Sequence, residues 1–211
     1  MDETTIREQI CQVGRWLWQK GMVAANDGNI SVRLGQDRII CTPTGVSKAM
    51  MDADLLPIVT VDGDPVDDRA LPPSSEIKMH LAVYREDPSV GAVVHAHPLY
   101  ATMWAVAGQP ISARMLPETV VTMPQVPLAP YATPSTQAVP DSVVPLVAGN
   151  RACLLENHGA LTWGHDLLSA YLMMERLEYT AQLTWHLSLT GRGRDLPDAE
   201  VTTLRTLFAG A

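Results

Sequence analysis

The chain has 211 residues, of which 46% are hydrophobic and 18% charged, and its 15 basic against 23 acidic side chains give a net charge of −8. Length and apolar content suit one domain spanning residues 1–211, since single domains commonly reach ~200 residues. No run of Lys or Arg offsets the acidic balance, which argues against a nucleic-acid partner because phosphate-backbone binding needs clustered cations; a small anion held by backbone N–H groups stays compatible with it.

Ile6, Ile10, Val13 and Leu17 recur at helical spacing and predict an amphipathic first helix ending at Gly21. Asn29 to Leu34 and Arg38 to Cys41 read as a hairpin around Gly35-Gln36-Asp37. Pro72-Pro73-Ser74-Ser75 blocks helix and then offers a serine cap to a helix from Glu76, with Ile77, Leu81 and Tyr84 as its buried stripe. Gly91 to His95 is a short apolar run that reads as a buried strand, followed by a helix carrying Leu99, Met103 and Val106. Seven prolines between Pro117 and Pro145 favour strand, turn and short helix there. Arg151 to Leu155 is another buried strand. Asp166 can cap a last long helix with Leu168, Tyr171, Leu172, Leu177 and Leu183 among its apolar positions. Strands interleaved with helices on both sides predict an α/β layered domain.

Cys11, Cys41 and Cys153 form a poor disulfide framework, so a reducing, cytoplasmic compartment is expected. The acidic N-terminus lacks an apolar signal core, and no stretch approaches the ~20 apolar residues of a membrane span. Asn29-Ile30-Ser31 matches a glycosylation acceptor but lacks a secretory context.

His95-Ala96-His97 ends a predicted strand, and side chains two apart on a strand share a face. His158 follows another predicted strand and joins the pair if the two strands are neighbours. Three histidines leave a tetrahedral ion one open position, as catalytic zinc requires, although imidazole also suits Co, Mn and Fe. The alternative, two satisfied core histidines, carries the cost of burying imidazoles in an apolar run. His80 reads as a packing residue, His165 as a loop residue and His186 as a helix-surface residue. Three further segments are suited to offering N–H groups to an anion: Asn26-Asp27-Gly28-Asn29, Thr42-Pro43-Thr44-Gly45, and Ser74-Ser75 at a helix start.

Six motifs in this order resemble the class II aldolase and adducin-head family: Asn26 to Arg33, Thr42-Pro43-Thr44-Gly45, Pro73-Ser74-Ser75-Glu76, His95-Ala96-His97-Pro98, Ala129-Pro130-Tyr131-Ala132-Thr133 and Asn157-His158-Gly159. The resemblance runs from about residue 5 to residue 190. It implies a three-layer fold whose central sheet is mainly antiparallel, and a homotetramer with active sites between subunits. It implies one divalent ion per chain, zinc with manganese or cobalt as alternatives, on His95, His97, His158 and, in the empty enzyme, Glu76. It also implies phosphate contacts at Gly28, Asn29, Thr44, Gly45, Ser74 and Ser75, and Glu76 as catalytic carboxylate.

The implied reaction is aldol cleavage of a ketose 1-phosphate to dihydroxyacetone phosphate and an aldehyde. One departure stands out. Where fuculose-phosphate aldolases carry a tyrosine, this chain reads Ala113-Arg114-Met115-Leu116-Pro117-Glu118, with Glu118 the nearest ionisable group. With Met103 and Met123 near in sequence, an apolar aldehyde pocket is expected, suiting 5-deoxy- or 5-methylthio-pentulose 1-phosphates over L-fuculose 1-phosphate. A methylthioribulose-1-phosphate dehydratase and a metal-free adducin-like interaction domain are the competing readings; retention of Glu76 and of all three histidines opposes both. Lys20, Lys48 and Lys78 lie in no recognisable Schiff-base motif.

Overall fold

A computed structural model describes residues 2–66, 71–123 and 125–208. Asp2 starts helix α1 (Glu3–Gln19) by accepting the Thr5 N–H at 3.0 Å, and the helix buries Ile6, Ile10, Val13 and Leu17 as their spacing predicts. Strands β1 (Asn29–Leu34) and β2 (Arg38–Cys41) form the expected hairpin. Then follow β3 (Ile58–Thr60), α2 (Ile77–Glu86), β4 (Ala92–Ala96) and α3 (Leu99–Val106). The proline-rich stretch resolves into α4 (Pro117–Thr122), the two-residue strand β5 (Leu128–Ala129) and α5 (Ala138–Val143). Strands β6 (Ala152–Leu155) and β7 (Gly159–Gly164) precede the long α6 (Leu167–Thr190) and a final α7 (Asp198–Leu207).

The seven strands form one sheet in the order β3-β2-β1-β4-β7-β6-β5, antiparallel except for the parallel β5–β6 pair. Alternation along the strands divides the interior. Ile30, Val32, Val94, Ala96 and Leu154 pack with residues of α1, α3 and α6. Val93, Cys153, Leu155 and Leu161 pack with residues of α2 and α5. The expected three-layer architecture is therefore present. All three cysteines are free and buried. Among the described residues no helix is long and apolar enough to cross a membrane.

Several local expectations are corrected. Helix α3 buries Ala101 and Ala105, whereas Leu99 and Val106 face outward, because the small side chains allow close approach to the sheet and α6. Asp166 caps α6 in a reciprocal box with Ser169, but Leu168 and Leu172 are exposed. The stripe that meets the sheet is Leu167, Ala170, Tyr171, Met174 and Leu177. Helix α2 takes no serine cap. Its N-cap residue is Glu76, whose side chain does not cap at all, and Ser74 Oγ accepts the Glu76 N–H at 3.3 Å. Strands β3 and β7 and helix α7 were not legible beforehand. His165 and His186 are exposed, as read.

His80 packs rather than ligates. It lies beneath the sheet on α2, with its Nδ1 2.8 Å from Ser31 Oγ, which is 2.9 Å from Tyr84 OH. Complete burial lowers its pKa from 6.5 to about 4. The folded state thus binds fewer protons than the unfolded state between these values. The His80 contribution is fully present above pH 6.5 and is lost as pH falls toward 4. Urea unfolding is expected to show stability falling through this window, by about 3 kcal/mol in all from one such group, with a shallower fall in His80→Gln; an unchanged slope in that variant contradicts the assignment.

Candidate metal centre and phosphate cradle

The site forms where β4 ends. Register places His95 opposite Asn29 of β1 and opposite Leu161 of β7. The side chain of His95 lies on the α2 face of the sheet and is fully buried. Its Nδ1 is 2.9 Å from the Ala160 carbonyl, which fixes the tautomer with Nδ1 as donor and leaves the Nε2 lone pair free. His97 lies just beyond the strand, with Nε2 3.1 Å from His95 Nε2 and Nδ1 3.5 Å from Asp27 Oδ2. His158 comes from the tight β6–β7 turn, where Asn157 takes a left-handed φ of 56°. The strand before His158 is not the neighbour of β4; the strand after it is.

One ligand atom from each of His95, His97 and His158 lies within 4.8 Å of the others. Two imidazole nitrogens on one tetrahedral zinc are about 3.3 Å apart, from a Zn–N length of ~2.0–2.1 Å, close to the 3.1 Å between the two Nε2 atoms. Two acceptor lone pairs facing each other at that distance repel unless a cation or a proton lies between them. Burial lowers the pKa of both His95 and His97, so both favour the neutral, ligating form. The three residues therefore fit a metal ion. Glu76 completes the group, 3.1 Å from His158 Nε2 and 3.5 Å from His95 Nε2, and accepts a 2.8 Å bond from Asn29 Nδ2. Burial alone would raise its pKa. The bond from His158 and the His95 ring reverse this and hold the carboxyl well below the usual range.

Two glycines are required here for space. At Gly159 an added Cβ would meet Ala96 O and His97 Cδ2, each at 2.6 Å. At Gly28, with φ of 74°, it would meet His95 O at 2.9 Å.

Beside the histidines opens a cavity of about 270 Å³. All six residues expected to hold phosphate line it, namely Gly28, Asn29, Thr44, Gly45, Ser74 and Ser75, together with Glu76, His97 and His158. The segments around Thr44 and Ser74 are paired: Thr44 N–H donates to Pro72 O at 2.9 Å and Ser74 N–H to Thr42 O at 3.1 Å. Those two amides are thus committed. Gly28, Gly45 and Ser75 N–H have no backbone partner among the described residues and, with the hydroxyls of Thr44, Ser74 and Ser75, are among the donors that remain.

Sequence reasoning gave no side-chain role to four polar lining residues: Asn26, Asp27, Lys48 and Ser135. Asn26 and Asp27 were read only as part of a segment offering backbone N–H groups. Ser135, with Oγ 2.9 Å from Ser75 Oγ, and Lys48 gave no signal.

Glu118 does not join the site within one chain. It is exposed on α4, and the next residues, Val120 to Thr122, line a cleft with Gly164 and His165 at the opposite end of the sheet. No methionine among the described residues lines this cavity: Met123 is fully buried in the core, and Met115 packs beside Gly193.

Replacing His95 by Ala is expected to abolish bound divalent metal while preserving the fold, and Gly159→Ala to weaken metal binding by displacing His97. Metal content after gel filtration checks both. Full stoichiometry in His95→Ala rules out this centre.

The class II aldolase and adducin N-terminal domain matches residues 8–185. A Cupriavidus necator protein named 3-oxo-tetronate 4-phosphate decarboxylase is 34% identical over 98% of this chain and 97% of its own. Among solved structures, YgbL from Klebsiella pneumoniae superposes with a TM-score of 0.91 at 32% identity, covering 97% of this chain and 100% of that one. An L-fuculose 1-phosphate aldolase superposes with a TM-score of 0.90 at 28% identity, covering 97% and 96%. With that match over most of its length, a shared fold and a three-histidine centre where the family motif falls, the chain belongs to the class II aldolase and adducin family.

Proposed function

We propose that this enzyme breaks a carbon–carbon bond beside a phosphorylated ketone, and that the fragment it releases is carbon dioxide: decarboxylation of a 3-oxo sugar-acid phosphate such as 3-oxo-tetronate 4-phosphate. Supporting this over aldol cleavage is the lack of a tyrosine both among the described residues of the cavity wall and in residues 113–118. The two reactions leave the same enediolate of dihydroxyacetone phosphate. They differ in the other fragment. Aldol cleavage must take a proton from an alcohol as the aldehyde forms. Carbon dioxide leaves from a carboxylate that carries no such proton, so the group that these residues omit is not needed. The naming of the 34%-identical relative agrees.

In this reading the phosphate binds the remaining donors at Gly45, Ser75 and their hydroxyl neighbours, next to Gly28 and Asn29. His95, His97 and His158 would hold one divalent ion, with zinc fitting a three-imidazole set that leaves an open position. When bound, such an ion supplies Lewis-acid stabilisation of developing negative charge on the ketone oxygen. Glu76, now against His95 and His158, gives way to the substrate in this reading. Moved away from His158, it loses the hydrogen bond that keeps it ionised while burial continues to favour the protonated form. Protonated from solvent in that position, it then delivers this proton to the carbanion carbon, and Asn29 Nδ2 orients it.

Aldol cleavage of a ketose 1-phosphate is the second reading, favoured by the close superposition on L-fuculose 1-phosphate aldolase. A homotetramer belongs to the proposal: only through a neighbouring subunit could Glu118 reach a cavity of this kind. A cytoplasmic location fits the three free cysteines.

The test is a side-by-side assay of 3-oxo-tetronate 4-phosphate and of 5-deoxyribulose, 5-methylthioribulose and fuculose 1-phosphates. The expected outcome is release of carbon dioxide with kcat/KM roughly 10²-fold or more above any aldol cleavage; faster aldehyde release favours the second reading. Glu76→Gln is expected to lower kcat by ~10²–10⁴-fold while inhibition by inorganic phosphate persists. A fully active variant removes Glu76 from the chemistry.

A further inference from the structure

Lys48 and Met50 are placed against the usual preference of their side chains. Lys48 is 1% exposed, whereas Met50, two residues on, is 81% exposed. Burying an ammonium is costly unless it is paired. Yet no carboxylate lies within ion-pair distance of Lys48 among the described residues. Its Nζ donates instead to two backbone carbonyls, Asn26 O at 3.0 Å and Val46 O at 2.6 Å. These carbonyls belong to the two loops that carry Gly28-Asn29 and Thr44-Gly45. An ammonium has three donors, so one N–H remains beyond these two bonds. Lys48 also lines the cavity, whose other charged side chains, Asp27 and Glu76, are acidic. Both oppose the effect of burial, which lowers the Lys48 pKa from 10.5 to about 8.

We infer that Lys48 is the cation that selects a phosphorylated substrate: it ties the two loops together through their carbonyls and serves as counter-ion to the phosphate ester. The missing anionic partner of the buried ammonium is then supplied by the substrate. This rests on the phosphate reading of the cavity and adds to it the residue that discriminates a phosphomonoester from the same carbon skeleton without phosphate. The other phosphate donors are neutral amides and hydroxyls, and a bond from an ammonium to a phosphate oxygen is roughly twice as strong as one between neutral groups.

The experiment uses the metal-loaded enzyme and three probes as competitive inhibitors: inorganic phosphate, dihydroxyacetone phosphate and unphosphorylated dihydroxyacetone. Lys48→Met is expected to raise the inhibition constants of both phosphorylated probes by roughly 10- to 100-fold, the scale of a lost hydrogen bond to a charged group. The constant for dihydroxyacetone and the metal content should stay at their wild-type values. KM for the substrate should rise with the phosphate constants, and kcat should change far less. Equal phosphate inhibition in variant and wild type overturns the inference and leaves the phosphate reading standing. A loss of all three probes and of metal together shows a purely structural lysine and also overturns it. If the wild-type enzyme is inhibited by neither phosphorylated probe, the phosphate reading itself fails.

A second readout avoids changing Lys48. With the exposed Lys20 and Lys78 replaced by arginine, the single remaining ¹⁵N-lysine ammonium resonance should move on addition of inorganic phosphate. A resonance indifferent to saturating phosphate contradicts the assignment.

Discussion

The register of β4 between β1 and β7 is the constraint on which the site depends. Asn29 stands opposite His95 on one side, and Ala160 is paired with Ala96 on the other, where its carbonyl reaches His95 Nδ1 at 2.9 Å. A slip of one residue would turn His95 to the opposite face of the sheet and bring an alanine or a valine to the α2 side. That slip would carry the His95 imidazole into the apolar core on the α1, α3 and α6 side without its Ala160 partner, a costly burial. Packing of the hydrophobic layers thus sets the position of a buried polar centre, which the core touches through the Ala160 carbonyl.

Around that fixed point, each participating group comes from a place where secondary structure stops. His97 follows the end of β4, His158 occupies a tight turn, Glu76 precedes α2, and Gly28 precedes β1. Ends of elements leave amides and side chains uncommitted to the regular hydrogen-bond ladder. Glu76 shows the consequence. A residue at a helix N-cap would ordinarily satisfy its own helix, but this one directs its carboxylate to two imidazoles and leaves the cap unmade. Local helix stability yields there to the site, a pattern expected where function overrides local preference.

Much of this could be read from the residues alone. The His-x-His pair at a strand end, the helical spacing of α1 and the Asn-Gly and Thr-Gly segments each carry their structural reason in the sequence. The motif order led to the family and to all six cavity-lining phosphate candidates. What stayed hidden depends on tertiary context. Leu99 and Val106 look like a buried stripe until Ala101 and Ala105 take the close contact. Lys48 carries no local mark of its burial, because the carbonyls that hold it are two and twenty-two residues away. Thr44 and Ser74 look like free amide donors until their loops pair with each other. Glu118 was placed near the chemistry by the family resemblance, and within one chain it does not line the cavity.

Decarboxylation and aldol cleavage meet at one species, the enediolate of dihydroxyacetone phosphate, and the central claim is that this cavity stabilises it with Glu76 as proton carrier. The most direct measurement is solvent deuterium uptake at the hydroxymethyl carbon of dihydroxyacetone phosphate, followed by NMR with no aldehyde present. The account predicts exchange that depends on bound metal and falls with Glu76→Gln in proportion to the loss in turnover. An enzyme that turns over its substrate yet exchanges no deuterium, or a Glu76→Gln enzyme that exchanges at the wild-type rate, would contradict it.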